Sequence, residues 1–171
     1  MVLKSTVTIG YNVLLSLSAS VMSQELRPEF WMHYALTELR SAEWEALCDG
    51  CGLCCLVKLE DEESQEVAYT KVACKLLDCQ TASCRDYPNR KQHVPDCIQL
   101  TPELLDTIHW LPPSCAYRRL HEGKNLPRWH YLNTGSRQSI LKAKKSAAGR
   151  CISEEEIQDD DIEDYIVRWV R

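Results

Sequence analysis

Cys48-Asp49-Gly50-Cys51-Gly52-Leu53-Cys54-Cys55 is the stretch around which the rest of this chain has to be arranged. It holds four thiols within eight residues, and thiolates at i and i+3 converge on one ion. Gly50 and Gly52 let the backbone turn tightly enough for amide N–H groups to point at sulfur and stabilise its charge. Cys54 and Cys55 are adjacent, so their side chains are expected to serve different metals or different faces of one cluster. A disulfide framework competes poorly, because a bond between neighbours is strained and a chain this long does not need covalent staples. A thioredoxin-like pair at Cys48 and Cys51 would want a preceding strand, and a helix is expected there instead.

Working outward, Pro28 starts a helix with the apolar stripe Phe30, Trp31, Tyr34 and Ala35, and Ser41 caps a second one carrying Trp44 and Leu47 to Cys48. Beyond Cys55, Leu56, Val57 and Leu59 form one leg of a β-hairpin, Glu60 to Gln65 its loop, and Val67, Tyr69 and Val72 the other. A hairpin returns the chain to its origin, so Cys74 is expected beside Cys55. Residues 79 to 98 read as irregular loop. Thr101-Pro102-Glu103 announces a helix through Trp110, and another is expected from Pro113 or Ser114 to His121, with Gly123 as its stop. Residues 124 to 149 read as surface connection, and a last helix runs through Tyr165, Ile166, Trp169 and Val170. The expected fold class is helix-dominant α+β: a single small domain, residues 22–171, with a β-hairpin and loops organised around the cysteine cluster.

Residues 1 to 21 read as an extra N-terminal segment. Lys4 precedes a weakly signal-like run that Thr8, Gly10, Asn12, Ser16 and Ser18 interrupt, and translation from Met22 is the simpler expectation. Nothing approaches the ~20 apolar residues of a membrane span. A net charge of −5 and a pI near 5.6 argue against a nucleic-acid partner, since binding the phosphate backbone uses excess Lys and Arg. Ten cysteines in 171 residues, without a convincing export signal, point to a cytoplasmic metal protein.

The cluster resembles the YcgN/YkgJ-type cysteine-cluster family, a zinc- or iron-chelating domain named for its C-x-x-C-x-x-C-C signature. Likeness to the YcgN branch continues through Trp44-Glu45-Ala46-Leu47, Val72-Ala73-Cys74, Cys84-Arg85-Asp86-Tyr87, Pro95-Asp96-Cys97, Trp110-Leu111-Pro112 and Trp129-His130. It implies eight metal-binding cysteines: Cys48, Cys51, Cys54, Cys55, Cys74, Cys84, Cys97 and Cys115. Where the branch often has a further cysteine, this chain has Ala82, with Cys79 nearby. Cys151 has no counterpart and reads as a packing thiol.

Eight thiols suit two four-coordinate zinc sites, a binuclear arrangement, or one iron–sulfur cluster with the remaining cysteines structural. The C-x-x-C-x-x-C run is closer to an iron–sulfur site than to a zinc ribbon, whose second C-x-x-C is missing, and zinc stays open. His93, His109 and His130 read as surface or core histidines, and Asp49 and Asp96 as turn residues or hydrogen-bond acceptors beside the thiolates. The five tryptophans read as core. No phosphate-binding loop, HExxH helix, Gly-x-Ser-x-Gly elbow or catalytic carboxylate pair is found. The expected function is metal binding with no assigned reaction. The alternatives are an iron–sulfur redox or group-transfer enzyme and an adaptor using the acidic C-terminal helix.

Overall fold

Strand β2 (Val67–Ala73) is the axis of the fold in a computed structural model that describes residues 25–170. The expectations for residues 1–21 and a start at Met22 lie outside the described residues. β1 (Leu56–Glu60) pairs antiparallel with one edge of β2, with Leu56 opposite Ala73 and an irregularity between Leu56 and Lys58. The expected hairpin is therefore present. Asp61 closes its loop by accepting from the Glu63 and Ser64 amides. The other edge of β2 is shared by β5 (Ile152–Ser153), parallel, and β6 (Ile166–Val167), antiparallel. β3 (Leu77–Asp78) and β4 (Ser83–Cys84) form a separate two-stranded ribbon. Thr70 is buried because its hydroxyl is satisfied, donating to Val57 O at 2.9 Å and accepting from the Val72 amide.

The expectation of helix dominance is overturned. Among the described residues the α-helices are α1 (Phe30–His33), α2 (Ser41–Ala46), α3 (Arg90–His93), α4 (Ala116–His121), α5 (Tyr131–Thr134) and α6 (Ser139–Lys142), and none of them exceeds six residues. Thr101-Pro102-Glu103 begins only a 3-10 turn, Glu103–Asp106, where Thr107 Oγ1 bonds back to Leu104 O and the prolines at 112 and 113 soon demand extended backbone. The expected C-terminal helix is a 3-10 stretch, Asp159–Tyr165, followed by β6, because the β-branched pair Ile166-Val167 satisfies its backbone groups on the open edge of β2. Residues 124 to 149 are also not mere surface: they carry α5 and α6 and bury Leu126, His130, Ile140 and Ala147.

Two apolar clusters result. Phe30, Leu47, Leu105, Leu111, Ala116, Tyr117 and Leu126 form the first, and Leu53, Leu56, Ala73, Leu77, Ala82 and Ala147 the second. Glu43 is fully buried beside the first cluster. Its carboxylate accepts from the Arg27 guanidinium at 2.6 and 2.7 Å and from the Arg27 and Arg40 amides at 3.0 Å each. The side-chain hydrogen bond to Arg27, chiefly, holds the Glu43 carboxyl down at about 2.

Candidate metal centre

The cysteine loop starts where α2 ends, and the end of that helix is unusually well held. Tyr117 Oη donates to Trp44 O at 2.9 Å, Tyr131 Oη donates to Ala46 O, and His130 Nε2–H donates to Leu47 O at 3.1 Å. Tyr131 and His130 thus satisfy carbonyls that a helix terminus leaves without partners, and Tyr117 adds a second bond to Trp44 O beside that of the Leu47 amide. His130 is consequently a core residue: it is fully buried, its Nδ1 accepts from the Leu132 amide, and burial lowers its proton affinity.

After Cys48 the chain turns through Gly50 and Gly52, both with positive φ. A Cβ at Gly52 would stand 2.9 Å from Ala82 Cβ, so the position excludes a side chain on space as well as on backbone conformation. Asp49 Oδ1 accepts from the Cys51 amide at 3.1 Å, which is turn chemistry. The Ala147 amide anchors Cys51 O at 2.8 Å, and Cys74 N donates to Cys55 O at 2.9 Å. The hairpin thus delivers Cys74 to the cluster as its two legs require.

Cys48, Cys51, Cys54, Cys55, Cys74, Cys84, Cys97 and Cys115 all line one cavity of about 760 Å³, with wall residues drawn from both apolar clusters. Cys84 comes from β4, Cys97 from the turn closed on Val94 O, and Cys115 from the N-terminal boundary of α4. Backbone amides face several sulfurs: Gly50 N–H that of Cys48, Leu53 N–H that of Cys51, Leu76 N–H that of Cys74, and the Tyr117 and Arg118 amides that of Cys115. Such bonds stabilise thiolate charge. Burial opposes them, pushing the Cys115 thiol up to about 12. Cys54 is the exception: a hydrogen bond with the Cys55 thiol, 3.9 Å between sulfurs, and the Lys58 ammonium hold it down at about 7, while Cys55 is raised.

The thiols ring the cavity without converging. Four sulfurs around one zinc at about 2.3 Å stand roughly 3.8 Å apart, a spacing that Cys54 and Cys55 approach. Among the described residues no three His, Cys, Asp or Glu side chains stand at the spacing of a metal site. The donor set fits a thiophilic metal in chemistry, number and amide support, and the loops carrying it would have to draw inward.

Sequence reasoning missed Lys58. Its ammonium donates to Cys54 O at 2.8 Å and Leu56 O at 2.6 Å, and lies 4.5 Å from the Trp110 ring centroid at the cavity wall. Burial lowers its proton affinity and the thiolates of Cys54, Cys55 and Cys51 raise it. Only its place directly after the cluster hinted at this role. Asp96 also lines the cavity, whereas His93 pairs with Asp86 and His109 with Glu60 on the surface. Cys79 and Cys151 do not line it.

Residues 47–116 match the CxxCxxCC family, described as a "putative zinc- or iron-chelating domain". The chain is 56% identical over 138 residues to a UPF0260 protein of Pseudomonas entomophila, covering 81% of this chain and 93% of the relative. It is 55% identical over 140 residues to one from Allorhizobium ampelinum, covering 82% and 88%. A third, from Pseudomonas syringae pv. syringae, is 53% identical over 146 residues, covering 85% and 97%. No solved structure matches the chain.

Proposed function

The chain belongs to the UPF0260 family, and from that premise we propose that it is a metal-binding protein whose eight cavity cysteines supply the ligands of an iron–sulfur cluster, with the cysteines beyond its four ligands structural, and with zinc as the competing occupant. The observation that carries this reading is the assembly of Cys48, Cys51, Cys54, Cys55, Cys74, Cys84, Cys97 and Cys115 around one cavity, with amides turned towards several of the sulfurs. Thiolates are the donors that zinc and iron–sulfur clusters take.

A bound cluster would supply electron transfer there, and a bound zinc ion would supply crosslinking of the loops. The chain's own residues do the rest. The amides offset thiolate charge, Lys58 holds a positive charge against the Cys54 carbonyl, and the aromatic and aliphatic wall limits water. Thiols kept for metal suit a reducing compartment, the cytoplasm. Among the described residues no helix is long and apolar enough to cross a membrane. A redox or group-transfer reaction is the second reading, favoured by a cavity volume within the range of roughly 300–1,000 Å³ typical of small-molecule pockets.

Anaerobic purification followed by metal analysis and a visible spectrum tests the proposal. Stoichiometric iron with acid-labile sulfide and broad visible absorption supports the cluster, and colourless protein with stoichiometric zinc supports the competitor. Protein that retains neither metal when loaded with each would overturn both.

A further inference from the structure

The two cysteines outside the cavity are brought to each other. Cys79 sits in the turn between β3 and β4, which Asp78 shapes by accepting from the Gln80 and Thr81 amides at 2.9 Å each. Cys151 immediately precedes β5. The Gly149 amide donates to Cys79 O at 2.7 Å, which sets the two backbones side by side. Both side chains pack against the second apolar cluster with Trp169, and the Cys79 side chain is near enough to Cys151 to raise its thiol. Both are half-buried and reduced.

We propose that Cys79 and Cys151 form a redox-active dithiol, separate from the metal cavity, that closes to a disulfide by exchange with a low-molecular-weight disulfide of the glutathione class. Burial and the neighbouring Cys79 side chain push the Cys151 thiol up to about 12, so Cys151 attacks second. The Cys79 thiolate attacks one sulfur of the incoming disulfide, its S–S bond breaks, and the first small thiol leaves with a proton. Cys151 sulfur then attacks Cys79 sulfur, its proton passes to the departing thiolate, and the second small thiol leaves. The two cysteines are oxidised by two electrons together, and the small disulfide is reduced to two thiols.

The bond would tie the β3–β4 turn to the start of β5. That turn carries Ala82, which lies against Gly52, and the segment before Cys151 carries Ala147, whose amide anchors Cys51. Oxidation therefore stiffens one wall of the cavity without consuming a thiol that lines it.

The full chain, as purified, is incubated anaerobically with oxidised glutathione, denatured, blocked with iodoacetamide and mapped by mass spectrometry of its peptides. The expected product is a reducible Cys79–Cys151 crosslink lacking two hydrogens, with metal content unchanged. In Cys151→Ser the expected product is a persistent glutathione adduct on Cys79. Should that variant not fold, the wild-type crosslink map decides. Separate glutathione adducts on both cysteines, no reaction at either, or Cys79 crosslinked to a cavity cysteine would each overturn the proposal, and so would loss of metal on oxidation.

Discussion

Cys51 and Cys151 carry the same side chain in settings that predict opposite consequences of losing it. Cys51 faces the cavity with the Leu53 amide turned to its sulfur, while Cys151 packs beside Cys79 away from it. Serine is a harder donor that stays protonated near neutral pH. Residues that merely orient a metal ligand cost about 10–100-fold in affinity when lost, so Cys51→Ser should weaken metal binding by at least that range and Cys151→Ser should leave it unchanged. Equal metal content in the two variants, measured on purified protein, would break the ligand assignment. Glu43 makes a separate prediction at this scale. Its folded value of about 2 lies below its ordinary 4.5, so its stabilising contribution is complete above pH 4.5 and is lost as pH falls through about 2. The melting temperature of Glu43→Gln should fall below that of wild type above pH 4.5, and the gap should close towards pH 2. A gap independent of pH would show that the Arg27 pairing is not its origin.

The turn from Cys48 to Cys55 is the element on which the site depends, and Gly52 is its tightest point. Gly52→Ala combines a left-handed backbone with a contact of 2.9 Å to Ala82 Cβ, so it should cost roughly 1–3 kcal/mol of stability. Gly50→Ala has the same backbone demand but open space, and should cost less. Chemical denaturation of both variants checks the order, and a Gly52→Ala chain as stable as wild type would mean that the loop packs differently. Elements like this one were legible in the sequence because their signals are local: two glycines among four cysteines, and two apolar legs of similar length around a polar loop. Helix extent was not. The starts expected at Pro28 and Thr101 fall two residues before Phe30 and Glu103, where α1 and the 3-10 turn begin without a side-chain cap, and the segments stop early: Thr107 bonds back to Leu104 O, prolines follow Leu111, and the open edge of β2 claims Ile166 and Val167. His130 was legible only as a surface or core histidine and gave no hint that it anchors Leu47 O, a contact between residues 83 positions apart.

Across the whole molecule, two apolar clusters flank a cavity whose rim is assembled from the cysteine turn, the hairpin, the β3–β4 ribbon and the start of α4. The resemblance to the cysteine-cluster family supplied Cys84, Cys97 and Cys115, which local physics alone did not connect to Cys48 because their approach is set by irregular loops. Lys58 escaped notice since a lysine on a strand ordinarily faces water, and only the cavity shows its ammonium turned to the Cys54 carbonyl. The central claim is that thiolates, and not histidines or carboxylates, hold the metal. X-ray absorption at the metal edge of anaerobically purified protein tests it most directly. A nearest shell of sulfur at about 2.3 Å is the predicted result, and a shell dominated by nitrogen or oxygen at about 2.0–2.2 Å would contradict it.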